Sequence, residues 1–160
     1  MVAYSQTVYD WLKLFHVLAA VIWVGGDVMI LIMSLRVLKE NDAGREVAFV
    51  HDLGQIGQRV LAPTSMVLIV FALALVAYSP AWSFTDPWIV IAIVGYLATF
   101  VTGIGVLGPS AGKIEKLMAS GMSPDDLEVQ TLIKRTMMTG RIDVAVLLLI
   151  VCDMVLKPGS

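Results

Sequence analysis

Apolar residues fall into four long stretches along this chain, and polar, mixed-charge segments separate them. A helix needs roughly 20 mostly apolar residues to cross a bilayer. The pattern therefore predicts four transmembrane helices, at about 14–35, 60–77, 88–107 and 138–156. The fourth stretch contains Asp143 and Asp153, and it reaches spanning length only if it extends back through Met137, with Arg141 snorkelling to the interface.

The segments before the second span and before the fourth span are predicted to be helical as well. Val47, Val50, Leu53 and Ile56 recur at helical spacing between polar neighbours, which is typical of a helix that lies along the membrane interface. The sequence Ser-Pro-Asp-Asp at 123–126 combines a capping residue, a first-turn proline and two acidic residues, so a second inner helix is expected to begin there and lead into the fourth span.

The positions of Lys and Arg predict the orientation. Nine of the eleven flank the first and third connections, and only Lys13 and Lys157 lie on the other side. Because cytoplasmic loops are rich in Lys and Arg, both termini are predicted to lie outside the cytoplasm of a bacterial inner membrane. An aromatic belt at the predicted outer boundary agrees with this orientation, and it is formed by Trp11, Tyr78, Trp82 and Trp88.

Composition supports the membrane assignment: 58% of the residues are hydrophobic and 15% are charged, whereas soluble domains have about half and about a quarter. We therefore expect residues 1–160 to form one all-α domain, a four-transmembrane-helix bundle with interfacial helices on the cytoplasmic side and the lipid bilayer as its surroundings. No internal repeat and no removable signal peptide are expected. The net charge of −2, without a basic run, makes nucleic acid an unsuitable partner.

Polar residues on one face of the first span are the first candidates for chemistry. At 100° per residue, His16, Trp23, Asp27 and Ser34 lie within about 20° of one line, so this face is expected to contact protein. A charge at a helix centre costs roughly 2.5–3.5 kcal/mol on insertion scales. Asp27 is therefore interpreted as a proton carrier or a counter-ion, or else as a polar contact between helices. Trp23 would stack on a porphyrin or pack in the core.

His16 lies near the predicted outer boundary, beside the small residues at 19 and 20, and its imidazole is suited to axial ligation of a b-type haem. The alternative is a histidine that is hydrogen-bonded to a neighbouring helix. His51 is predicted on the inner side, too far away to bind the same iron. A second ligand would come from Met154, from Lys157 or from a second protomer; the alternatives are a core methionine and an interfacial lysine.

The run WLKLFHVLAAVIWVGG at 11–26 resembles the first span of a bacterial group of membrane proteins. The group comprises the HemJ type of protoporphyrinogen oxidase, the copper-resistance D-type membrane proteins and an uncharacterised family of four-span integral membrane proteins. The ending MVLKP at 154–158 is similar to the ends of those chains. Similarity to the uncharacterised family extends over nearly the whole length, including RVLAP at 59–63 and LGP at 107–109.

The resemblance implies haem b, because the first-span histidine of the HemJ type is taken to bind it. In the HemJ type a lysine near the C-terminus is also functionally important. By position these residues correspond to His16 and Lys157, which the predicted topology places on the same side. The third span lacks the His-x-Lys pair of the HemJ type, and Asp27 occupies a place that is apolar in the relatives. Porphyrinogen oxidation is therefore not implied.

The leading hypothesis is a membrane protein that binds haem b and has an electron-transfer or redox role near the outer face, which leaves open whether it is an oxidoreductase. His16 would bind the iron, Trp23, Met154 and Lys157 would complete the site, and Asp27 would carry protons. One alternative is a haem-free accessory subunit, either a homo-oligomer or part of a larger membrane complex. Another is a copper-handling, transporter-like protein, suggested by the copper-resistance relatives and the nine methionines.

Overall fold

The structure is a computed structural model that describes residues 5–159, so Met1, counted above among the methionines, lies outside the described residues. Within that range all regular secondary structure is helical, which confirms the all-α prediction. The α-helices are α1 (Gln6–Glu40), α2 (Ala43–Ile56), α3 (Ala62–Tyr78), α4 (Pro87–Thr102), α5 (Gly108–Ala119) and α6 (Leu127–Leu156). Two π-helical segments, Gly57–Leu61 and Gly103–Leu107, connect α2 to α3 and α4 to α5 without a break.

The long helices pack as antiparallel neighbours. α1 packs on α3, α4 packs on α6, and α1 also contacts α6. The backbone N–H of Ser5 donates to the hydroxyl of Tyr78 at 2.7 Å, so the start of α1 meets the end of α3. The Lys157 Nζ lies 5.2 Å from the ring centroid of Trp88, so the start of α4 meets the end of α6. We call this the terminal end of the bundle; α2 and α5 pack together at the opposite end, the α2–α5 end.

Two apolar cores stabilise these two parts. The core of the long helices is formed by Ala19, Trp23, Leu68, Tyr96 and Leu147. The core of the α2–α5 end is formed by Val50, Ile114, Val129, Ile133 and Met137. The second core joins α2 and α5 to the first half of α6. The α2–α5 end therefore has an apolar core separate from that of the long helices.

The outer surface of the bundle is apolar along its length. Val21 of α1, Val70 of α3 and Leu149 of α6 are 64%, 62% and 68% exposed. A soluble monomer rarely exposes apolar surface on this scale. Three continuous helical stretches, Gln6–Glu40, Ala43–Tyr78 and Pro87–Ala119, are long and apolar enough to cross a membrane. They contain the first three predicted spans.

The fourth predicted span lies in α6, which is 30 residues long. It does not reach the same apolar composition, because Arg141, Asp143 and Asp153 leave no uninterrupted apolar stretch of spanning length. α6 begins after Asp126, whose Oδ2 accepts from the backbone N–H of Ser123 at 3.0 Å. The motif at 123–126 therefore forms the turn that precedes the helix, and the helix starts three residues later than predicted. It continues into the apolar segment, as expected.

The predicted interfacial helix at 47–60 is not a separate element, because α2 continues into α3 through the first π-helical segment. In this segment the N–H of Ala62 donates to the carbonyl of Gly57, five residues earlier. In the second segment the N–H of Gly108 donates in the same way to the carbonyl of Gly103. The wider hydrogen-bonding pattern keeps the chain helical between α2 and α3.

The two π-helical segments also share a short sequence pattern. GQRVLAP at 57–63 and GIGVLGP at 103–109 both read Gly-x-x-Val-Leu-small-Pro, and each proline lies in the first turn of the next helix. Proline has no N–H for the carbonyl four residues earlier, and its ring crowds that carbonyl. Pro63 and Pro109 thereby favour the wider turn that precedes each of them.

Candidate functional site

A cavity of about 470 Å³ lies inside the bundle, between the core of the long helices and the α2–α5 end. Its walls come from all six α-helices and from both π-helical segments. We call it the central cavity. The charged side chains among the described residues that line it are Asp27, Arg141 and Asp143. Its hydroxyl groups belong to Ser34, Ser65, Thr99 and Thr136.

Helical spacing explains why Asp27 faces this cavity. Trp23, Asp27, Leu31 and Ser34 follow one another at intervals of three or four residues on one face of α1, and all four line the cavity. Trp23 is 8% and Ser34 is 4% exposed, which confirms that this face of α1 contacts protein. The Ser34 hydroxyl donates to the carbonyl of Leu31 at 2.7 Å, so it is already satisfied within its helix.

The opposite wall is a face of α6. Met137, Gly140, Arg141 and Val144 lie close together on this face, and Asp143 lines the cavity from its flank. The Nε of Arg141 is buried in the interior. The cavity offers the guanidinium a polar space next to its own helix, and snorkelling of Arg141 to the interface stays a prediction.

The three charged groups of the cavity are not neutralised by one another. Among the described residues, neither Asp27, Arg141 nor Asp143 forms a salt bridge, and the buried Arg141 Nε has no hydrogen-bond partner. The two carboxyl groups line the same cavity, and like charges repel. Buried charges are normally paired or bound to a ligand. The arrangement can therefore bind a charged ligand with little rearrangement.

The two π-helical segments form the part of the cavity next to the α2–α5 end. Gly57 and Leu61 of the first segment and Gly103 and Leu107 of the second line it. A Cβ atom added at Gly57 or Gly103 would meet nothing within 4 Å. The glycines thus leave open space, and π-helical turns are frequent at functional sites.

The other predicted site residues lie away from the central cavity. His16 is half-buried, and its Nδ1 lies 3.3 Å from the carbonyl oxygen of Leu68 on α3. Lys157 places its ammonium 4.4 Å from the ring centroid of Trp82, near the terminal end. Met154 is half-buried on α6. The structure therefore brings Trp23 and Asp27 together at the central cavity, and it does not place His16, Met154 or Lys157 on the lining of that cavity.

Sequence comparison shows the family. The sequence profile of one family, described as "Predicted integral membrane protein (DUF2269)", matches residues 10–158. The chain belongs to the DUF2269 family. This match confirms the resemblance to an uncharacterised membrane family and shows no link to the HemJ type or to the copper-resistance proteins. No curated protein and no solved structure matches this DUF2269 chain significantly.

Arg141 and Asp143 are the site residues of this DUF2269 protein that sequence reasoning missed. They were interpreted as interruptions of a weak span, although two opposite charges within three residues of an apolar stretch are a signal of an interior polar site. The repeated Gly-x-x-Val-Leu-small-Pro pattern was the signal for the π-helical segments. The matched range, 10–158, includes all residues that line the central cavity.

Proposed function

We propose that this DUF2269 protein binds a small organic cation, such as a protonated amine, in the central cavity and thereby has a solute-binding, transporter-like function. The observation that carries the proposal is the pair of carboxylates, Asp27 and Asp143, that line one cavity without a salt bridge in the described chain. Each carboxylate costs roughly 2.5–3.5 kcal/mol at the centre of a membrane helix on insertion scales. A cation between them offsets this cost.

The walls of the cavity favour an organic cation over a metal ion. Besides the carboxylates, the lining is largely aliphatic and aromatic, with Trp23, Leu61 and Phe100 among its residues. Aromatic rings attract ammonium groups, and aliphatic side chains pack against a carbon skeleton. Within residues 5–159, no three His, Cys, Asp or Glu side chains gather as metal ligands. The volume lies within the range of about 300–1,000 Å³ that is usual for small-molecule sites.

The proposal includes α6 as a fourth transmembrane helix. α6 packs along α4 and α1, both of which belong to stretches apolar enough to span. Arg141 and Asp143 line the cavity, and Asp153 is only 9% exposed. These three charged side chains of α6 therefore face protein. Leu149 and Val155 on the outer face are 68% and 75% exposed, which suits contact with lipid.

The distribution of Lys and Arg gives the proposed orientation. Leaving aside Arg141, which lines the cavity, eight of the eleven flank the connections at the α2–α5 end, which by the positive-inside rule faces the cytoplasm of a bacterial inner membrane. Both termini then lie outside. The central cavity would be in the cytoplasmic half of the membrane, next to α2 and α5 at the interface.

Thermal unfolding of the purified full chain in detergent tests the solute site. We expect n-propylammonium chloride to raise the Tm of the wild-type protein above that in sodium chloride of equal ionic strength. The rise should be lost in Asp27→Asn and in Asp143→Asn, and retained in Asp52→Asn, which removes an exposed carboxylate of α2. An equal rise in all four proteins, or none in the wild type, would overturn the proposal.

Haem b binding at His16 is a second candidate function, and the contact of its ring with the Leu68 carbonyl is compatible with it. If the Nδ1–H of His16 donates to the Leu68 carbonyl at 3.3 Å, the Nε2 lone pair is free, and metal-binding histidines are commonly oriented by such a bond. His16 would then bind the iron near the outer face, and Lys157 would be a second ligand or would pair with the propionates. Haem b would supply one-electron redox chemistry.

A reduced-minus-oxidised optical spectrum separates the two functions. Haem binding requires a Soret band in protein purified from haem-replete cells, lost or shifted in His16→Ala and unchanged in Asp143→Asn. Protein that is colourless under these conditions would remove the haem proposal and leave the solute site untouched. The accessory-subunit and copper-handling hypotheses stay predictions.

A further inference from the structure

We infer that the solute is zwitterionic, with an anionic group that Arg141 binds and an ammonium group that Asp27 and Asp143 bind. This inference rests on the proposed solute site and names the chemical class of its ligand. The shared chemistry is an ammonium and an oxyanion on one small group. A free amino acid has it, and so does the headgroup of phosphatidylethanolamine.

Arg141 is the first reason. It lines the same cavity as the carboxylates, and its Nε is buried without a hydrogen-bond partner. An unsatisfied buried donor is unfavourable, most of all on a charged group. A guanidinium presents its N–H groups in a planar fork that matches a carboxylate or a phosphate. A ligand with only an ammonium group would leave this donor unsatisfied and would add another positive charge beside it.

Helical geometry is the second reason, because it keeps the opposite charges of α6 apart. Arg141 and Asp143 are two residues apart, and side chains at that spacing do not face each other on a helix. Asp27 comes from α1, on the other wall, and it forms no salt bridge with Arg141 in the described residues. The lining thus carries a guanidinium and two carboxyl groups that no salt bridge joins in the described residues, and a zwitterion can contact groups of both signs.

The comparison with simpler ligands is the third reason. Two carboxylates and one guanidinium line the cavity among the residues that the structure describes there. A zwitterion contacts groups of both signs, whereas a simple cation leaves the guanidinium without a counter-ion. A simple anion would satisfy Arg141 and face two carboxylates, so an acid without an amine should bind least.

The test uses the full chain in detergent and isothermal titration calorimetry. Each of the twenty free amino acids is titrated singly, and the tightest binder is compared with its own carboxamide, which keeps the amine and removes the anionic group. A lipid arm uses dihexanoyl phosphatidylethanolamine against dihexanoyl phosphatidylglycerol. We expect the carboxamide to bind at least about tenfold more weakly to the wild type, as for loss of a charge-assisted pair. The lipid arm shows which source of the zwitterion is preferred.

Arg141→Gln should bind the amino acid and its carboxamide equally, within about twofold, and Arg141→Lys should restore part of the preference. Arg135→Gln is the matched control, because Arg135 is exposed on α6 and does not line the cavity. If Arg141→Gln does not fold, the inference is tested by the wild-type preference for the amino acid over its carboxamide and by the size of that preference in Arg141→Lys.

The outcomes separate this inference from the proposed function. Equal binding of the amino acid and the carboxamide by the wild type overturns the zwitterion inference and leaves the amine site intact. A preference that survives in Arg141→Gln overturns the role of Arg141. Binding of none of the amine-bearing probes, n-propylammonium included, contradicts the proposed function itself.

Discussion

The terminal end of the bundle is closed by aromatic side chains, whereas the half next to α2 and α5 encloses the central cavity. At the terminal end Tyr9 contacts Trp82 at 6.0 Å between ring centroids, and Trp82 contacts Trp88 at 5.4 Å. The ammonium of Lys157 lies over both indole rings. In the other half, the same long helices leave a space of about 470 Å³ that is lined by charged groups.

Glycines show how the same residue type produces both kinds of packing. A Cβ at Gly95 would lie 2.7 Å from the Cγ1 of Ile150, so this glycine lets α4 and α6 approach closely. At Gly57 and Gly103 a Cβ would meet nothing within 4 Å, and both residues line the cavity. A small residue in a membrane helix therefore indicates close contact or open space only once its neighbours are known.

Narrowing the cavity should have the largest effect among substitutions that leave its charged residues in place. Gly103→Leu adds a side chain where the second π-helical segment lines the open space, so n-propylammonium affinity should fall by at least about tenfold, since the leucine takes up part of the volume that is open to the ligand. Gly105→Leu is the matched control, because Gly105 belongs to the same segment but is exposed and does not line the cavity. Equal calorimetric affinities of these two variants would show that the cavity is not the site.

Gly95→Ala should break the close packing of α4 on α6. Overpacking typically costs about 1–3 kcal/mol, so the free energy of unfolding should fall by this amount, measured by denaturant unfolding in detergent. Gly25→Ala is the control, because a Cβ there meets nothing within 4 Å. If Gly95→Ala is as stable as Gly25→Ala, the contact between α4 and α6 is looser than described.

Lys157→Gln should have the smallest effect. It removes the cation from the rings of Trp82 and Trp88, an interaction worth about 0.5–1 kcal/mol at an accessible site. The same denaturant measurement on Lys13→Gln provides the comparison, since Lys13 is exposed on α1. A loss of several kcal/mol, or a change in an optical haem spectrum, would instead assign Lys157 a role beyond the aromatic contacts.

Periodicity was enough to predict the inward face of α1. Trp23, Asp27 and Ser34 were expected to contact protein, and all three line the central cavity. This prediction needed only the helical repeat and the high cost of a charge in hydrocarbon. The first three spans could likewise be located from the sequence, because the length of their apolar stretches was sufficient.

The partnership between α1 and α6 could not be predicted in this way. Asp27 and Asp143 are far apart in the sequence, and only the packing of the helices places them in one cavity. Local spacing assigned Arg141 to the membrane interface, because its position near the end of an apolar run suits snorkelling. The tertiary structure offered it an interior polar space that the pattern of its own helix does not contain.

His16 shows the opposite case, where the sequence identified a residue but not its chemistry. Both interpretations of its imidazole, a haem ligand and a contact between helices, agree with the bond from its ring to the Leu68 carbonyl at 3.3 Å. The bond fixes the ring and does not distinguish the two functions, because an oriented Nε2 suits iron and a structural histidine equally well.

The central claim is that Asp27 and Asp143 together bind a positively charged group in one cavity. Calorimetric titration of n-propylammonium into the wild-type chain and into the Asp27→Asn/Asp143→Asn double variant tests it most directly, with Asp10→Asn/Asp52→Asn as a variant of equal net charge. The account predicts saturable binding by the wild type and the control and none by the cavity variant. Equal affinity of the cavity variant and the wild type would contradict it.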